Sequence, residues 1–124
     1  MRWDVPSRIR EVGDRLRTFA GVERVQVPES FRGKLRPYQR DGLDWLQFLS
    51  SFGFGGILAD DMGLGKSVQT LAHLLCEKEA GRLTQPVLLV VPTSIVYNWC
   101  DEAARFAPTL RVLSLHGPAR SQRF

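Results

Sequence analysis

The stretch ILADDMGLGKSVQTL, residues 57–71, leaves this chain few ways to fold. A short apolar run leads into two glycines spaced two apart, then a lysine, a hydroxyl residue and an apolar pattern of helical period. Gly63 and Gly65 permit backbone angles that a side chain would forbid. Val68, Leu71, Ala72 and Leu75 repeat as one face of a helix from about 66 to 80, and Gly81 suits its C-terminal stop. The segment therefore reads as strand, tight turn, helix. In that arrangement the N–H groups of turn 60–66 converge with the positive end of the helix, which suits an anion. Lys66 can then reach the β- and γ-phosphates of a nucleotide, and Ser67 can offer its hydroxyl to magnesium. The alternative is a glycine-rich turn with a surface lysine; the flanking elements favour the phosphate site. Asp60 stands where such loops usually open with glycine, and a carboxylate there should repel a triphosphate unless it turns away.

The rest of the chain builds an α/β pattern around this turn. Ile9, Val12, Leu16 and Phe19 lie on one stripe of a helix over residues 7–19, with Ser7 as N-cap and arginines off the stripe. That helix reads as an amphipathic element docked on a partner domain. Val25 and Val27 hint at a short strand over 22–27, before a loop. Pro37 suits the first turn of a second helix, whose buried face would be Trp45, Leu46, Leu49 and Phe52. The glycines at 53, 55 and 56 end it and open a strand over 56–59. The run VLLVV, residues 87–91, does not alternate, as in a parallel strand covered on both faces. A helix from about Ser94 to Phe106 follows, with Val96, Trp99, Ala103 and Phe106 inward, and 111–115 is a last strand. Strand and helix in alternation imply a mostly parallel sheet with right-handed crossovers.

The 124 residues suffice for one small domain. An apolar share of 44% with 24% charged residues is ordinary for a globular chain. No apolar run is long enough to span a membrane, and residues 1–12 lack the apolar stretch of a signal peptide. An intracellular location is the default expectation. Cys76 and Cys100 have no metal-ligand spacing and read as small, partly buried residues of a reduced compartment. The net charge of +4 is compatible with a polyanionic partner.

The string DDMGLGKSVQT, residues 60–70, resembles motif I of the Swi/Snf-type ATPases of helicase superfamily two. In that family an acidic pair opens the loop, so Asp60 becomes a family mark. The resemblance implies that Asp61, Met62, Gly63, Leu64, Gly65, Lys66, Ser67 and Val68 surround the phosphates of ATP, with Lys66 essential to hydrolysis and Ser67 on Mg2+. LRPYQRDGLDWL, residues 35–46, is similar to the segment upstream of motif I and implies that Gln39 reads adenine. One side-chain amide both donates and accepts, as the adenine edge requires; without the resemblance, an exposed glutamine in a first helical turn is the simpler reading. VLLVVPTSIVYNW, residues 87–99, resembles motif Ia and implies that Thr93 and Ser94 contact a DNA backbone phosphate. Ser94 could equally be only a helix cap, and both roles are compatible. RVLSLHG, residues 111–117, resembles the next strand and loop.

The resemblance implies a two-part organisation: an N-terminal helical extension, 1–34, loosely reminiscent of bacterial members, and the first part of a RecA-like ATP-binding lobe, 35–124. It further implies an ATP-dependent translocase on double-stranded DNA, with a protein–DNA complex as a possible substrate, located in the bacterial cytoplasm or nucleoid rather than a eukaryotic nucleus. DEAA, residues 101–104, superficially looks like the acidic motif II, but it sits mid-helix without a preceding strand. The true motif II and the arginines of a second RecA-like lobe are expected elsewhere, so these residues alone should bind nucleotide weakly and not hydrolyse it. In the family the motif II and III strands lie between strands 56–59 and 87–91, which should therefore not pair directly. Two other classes remain: a different P-loop NTPase or kinase, and a non-catalytic nucleotide-binding module.

Overall fold

The computed structural model describes residues 6–59 and 65–118. Among these described residues there are four α-helices: α1 (Ser7–Arg17), α2 (Pro37–Ser51), α3 (Lys66–Glu79) and α4 (Val96–Phe106), the last led by a 3-10 turn over Thr93–Ile95. The core is small. Leu43 of α2, Leu71, Ala72 and Leu75 of α3, and Ala103 beside α4's end, together with Ala107, pack with Phe31 and Leu35 from the loop before α2. Each large aliphatic side chain buried this way contributes roughly 1.5–3 kcal/mol.

The helix ends follow from local chemistry. Pro37 occupies the first position of α2, where its missing N–H costs nothing. The Arg36 N–H donates to Gln39 Oε1 at 2.9 Å, which satisfies a group at the helix entry. At the other end Gly53 takes φ of +67°, its N–H bonding the Ser50 carbonyl while Phe54 N–H reaches Leu49. α3 closes in the same way: Gly81 at φ of +74° bonds Lys78, and Arg82 N–H reaches Glu77. Both are left-handed glycine stops that pair the last carbonyls.

Several expectations need correction. Ser7 does not cap α1: Pro6 is the N-cap and no side chain bonds the helix start. Likewise no side-chain cap is made at the start of α4 or its leading turn, so Ser94 does not serve as one. The buried positions of α2 are Gln39, Leu43 and Asp44, with Trp45, Leu46 and Leu49 only half covered. The α1 stripe is largely open, Ile9 being 58% exposed, although Phe19 beyond its end packs on Phe48 with ring centroids 4.9 Å apart.

Among the described residues there is no β-strand, so the expected sheet is not formed. For 22–27 the reason is visible. Val25 N–H donates to Asp44 Oδ1 at 2.9 Å, and the Val25 carbonyl accepts from Arg40 at 2.9 Å. Side chains of α2 take the groups that a neighbouring strand would have taken. Segments 56–59, 87–91 and 111–115 run without a ladder, and 56–59 does not pair with 87–91, as expected if other strands belong between them. A strand needs a partner to satisfy its backbone, and a lone one is not stable.

Candidate functional site

Gly65 sits at the N-terminal end of α3 with φ of 78° and ψ of 44°, and the helix begins at Lys66. The first turn carries no acidic residue, so nothing there offsets the positive end of the helix. Lys66, Ser67 and Val68 are half-buried. Gly65 O accepts the Gln69 N–H at 3.2 Å, and Thr70 Oγ bonds the Lys66 carbonyl at 2.9 Å, which fixes the first turn. Asp60, Asp61, Met62, Gly63 and Leu64 lie outside the described residues.

Gln39 is brought to this point from α2. It is buried, and its amide oxygen is bonded to Arg36 N–H, so it is not the exposed glutamine of the simpler reading. A Cβ added to Gly65 would run into Gln39 Nε2. Two residues 26 positions apart in the chain thus share one small volume at the head of α3. Gly42, one turn further along α2, makes a matching approach: a Cβ there would collide with the amide of Gln69, which is fully buried. Sequence reasoning passed over the Gly42–Gln69 pair. The available signal was a glycine in the middle of α2, a position where glycine lowers helix stability and so implies close packing.

Thr93 and Ser94 are exposed on the 3-10 turn that opens α4, where Pro92 at φ of −57° redirects the chain. They stand together at the start of α4, as Lys66 stands at the start of α3. Asp101 and Glu102 lie inside α4, away from any strand end. Cys76 and Cys100 are free and half-buried, and burial pushes the Cys76 thiol up to about 11, which makes it unreactive at neutral pH.

A polar network ties α2 to α3 toward the end of α3 away from Lys66. Glu77 is its centre. Gln47 Nε2 and Ser50 Oγ each donate to Glu77 Oε1 at 3.0 Å, and Arg82 Nε donates to Oε2 at 2.9 Å. Arg82 also donates to Gln47 Oε1 at 3.0 Å, and Gln47 Nε2 lies 2.7 Å from His73 Nδ1. The Arg82 hydrogen bond and those of Ser50 and Gln47 hold the Glu77 carboxyl below its usual range against the cost of burial. Burial lowers the His73 pKa, only partly opposed by Glu77.

The residues at the head of α3 suit a nucleotide phosphate: a left-handed glycine, a helix start free of acidic side chains, and a lysine and a serine following. Of the residues described there, only Ser67 is a hard-cation donor, which matches a magnesium ion held mainly by phosphate and water. A helix start of this kind is what the nucleotide-binding lobes of RecA-like folds present to phosphate, and the fold match points to that class. A solved structure with the same arrangement is the Sulfolobus solfataricus SWI2/SNF2 ATPase core in complex with dsDNA, at TM-score 0.71 and 43% identity, over 79% of this chain and 21% of that one.

Residues 38–124 match the model of the SNF2-related domain, and the chain belongs to that family. It is 43% identical over 120 residues to YwqA of Bacillus subtilis, covering 97% of this chain and 13% of that protein. Helicase SWR1 of Saccharomyces cerevisiae is 49% identical over 102 residues, 80% of this chain and 6% of SWR1. The chain thus spans a small part of the length of the curated relatives it matches. No helix among the described residues is long and apolar enough to cross a membrane.

Proposed function

We propose that this chain is the ATP-binding part of an ATP-dependent translocase on double-stranded DNA. The observation that carries it is the convergence of Gly65, Lys66 and Ser67 at the head of α3 with Gln39 of α2. Lys66 holds the β- and γ-phosphates, the α3 amides add to the cradle, Ser67 takes the magnesium ion, and Gln39 reads adenine. By the resemblance in sequence, Asp61, Met62, Gly63 and Leu64, which lie outside the described residues, and Val68 belong to the same nucleotide site. Thr93 and Ser94 hold a backbone phosphate of DNA, a contact that positions the protein without reading sequence. Bound magnesium ATP supplies the reacting phosphoryl group. Turnover also needs an acidic motif II and arginines from a second RecA-like lobe, and Asp101 and Glu102 lie within α4 and do not supply that motif. DNA travel in the intact protein follows from cycles of closure around ATP.

The test is ATP hydrolysis by the intact protein with and without double-stranded DNA. Stimulation by DNA of any sequence, weakening steeply with salt, is expected. Lys66→Ala should abolish hydrolysis and weaken nucleotide binding, while Thr93→Ala with Ser94→Ala should lower the affinity for DNA and leave nucleotide binding alone. Equal ATP affinity in wild type and Lys66→Ala would refute the assignment.

A further inference from the structure

Residues 28–36 run from the far ends of two helices to the near end of a third. The Phe31 N–H bonds the Pro28 carbonyl at 3.0 Å, making a tight turn. Ser30 Oγ donates to Glu79, the last residue of α3, at 2.5 Å. Arg32 N–H donates to the carbonyl of Phe106, the last residue of α4, at 2.8 Å. The Phe31 ring, 6% exposed, stacks on Phe106 with centroids 6.0 Å apart and planes 12° from parallel. Leu35 is buried in the same cluster. At Arg36 the segment ends on the hydrogen bond to Gln39.

This strap lies before residue 38, where the family match begins. Among the described elements α4 packs on α3 and on its own leading turn, and not on α2. The strap is therefore a link from α4 to α2 that does not pass through α3. At one end of that route stand Thr93 and Ser94, at the other Gln39 against Gly65.

We propose that the strap is a brace that couples the DNA-facing turn of α4 to the placement of Gln39, with Phe31 as its positioning residue. The proposal rests on the reading of Gln39, Thr93 and Ser94 given above. A phosphate held at the start of α4 pulls on an 11-residue helix. With the other end of the helix pinned through Phe106, a displacement passes along the strap to the entry of α2 instead of dissipating at the α3–α4 contact. By linkage the effect is reciprocal: nucleotide held by Gln39 should raise the affinity for DNA by the same factor.

The test uses the intact protein and measures binding of a fluorescent ATP analogue and ATP hydrolysis, each with and without double-stranded DNA. In Phe31→Ala the affinity for the analogue without DNA should stay within about twofold of wild type, while stimulation by DNA should fall about tenfold, within the usual span of coupling between sites. Phe31→Tyr, which keeps the ring, should restore stimulation. A purely structural role would instead lower both quantities together, and that outcome, or undiminished stimulation in Phe31→Ala, overturns the proposal. Should Phe31→Ala fail to fold, Gly33→Ala serves. Its new Cβ would lie 3.0 Å from the Phe106 ring, loosening the stack while removing no apolar surface. Wild-type stimulation in that variant would equally overturn the brace. If DNA fails to stimulate the wild type at all, the underlying reading of the DNA contact falls first; if DNA stimulates wild type and variants alike, only the brace falls.

Discussion

Gly65 and Gly81 carry nearly the same backbone angle, φ of 78° and 74°, but in different surroundings. An alanine at either pays the left-handed strain of about 1–2 kcal/mol. At Gly81 a Cβ would meet nothing within 4 Å, so strain is the whole effect. At Gly65 it would also drive Gln39 out of its place. Gly81→Ala should lower stability by that strain alone and Gly65→Ala by more, read as the midpoint of denaturant unfolding. Only Gly65→Ala should also weaken nucleotide binding, by about tenfold or more, since a displaced amide leaves polar groups unpaired. Titration of the two variants with the same ATP analogue separates backbone strain from damage to the site.

The polar network between α2 and α3 gives stability a pH dependence with a definite sign. His73 has a lowered pKa, so between its ordinary value near 6.5 and the folded value the unfolded chain binds a proton that the folded chain does not. Stability therefore falls on acidification through that window, by at most about 1.4 kcal/mol per pH unit. Glu77 is also lowered, so its contribution is intact above the ordinary carboxylate range and is lost as pH falls through the folded value, a second and more acidic phase. Urea unfolding between pH 5 and pH 7.5 should show the first phase in wild type, and His73→Gln should flatten it. Glu77→Ala should cost about 2 kcal/mol at pH 7, since Gln47, Ser50 and Arg82 each lose an acceptor. None of this was legible in the sequence, because Gln47 and His73 stand 26 residues apart and periodicity says nothing about which helix faces meet. What was legible is local. The helix beginning at Lys66, the glycine stop at Gly81 and the proline start at Pro37 are each decided within one turn. The strand segments form no ladder among the described residues for the complementary reason. Their composition states a preference, but a strand exists only when another chain segment answers its backbone, and at Val25 two α2 side chains answered first.

At the scale of the molecule the apolar segments left without a ladder decide its behaviour. Exposure along 87–90 alternates, Val87 at 49%, Leu88 at 76%, Leu89 at 43% and Val90 at 87%, so one face is half-covered and the other nearly bare. Ile57 at 83% and Leu113 at 62% add to the uncovered surface. Yet the chain superposes on the SWI2/SNF2 core at TM-score 0.71 over 79% of its length without any ladder among the described residues. Extended apolar segments with unanswered N–H and C=O groups are templates for pairing with another copy. Residues 1–124 expressed by themselves should associate with rising concentration and bind a dye specific for apolar surface. Leu88→Lys with Val90→Lys places two charges on the more exposed face and leaves Val87 and Leu89 unchanged. That variant should stay monomeric to higher concentration by light scattering, with its helical circular dichroism and unfolding midpoint within about 0.5 kcal/mol of the parent. A loss of helical signal in the double lysine variant would mean that Leu88 and Val90 are packed in solution, and that the helical layer depends on the strand segment after all.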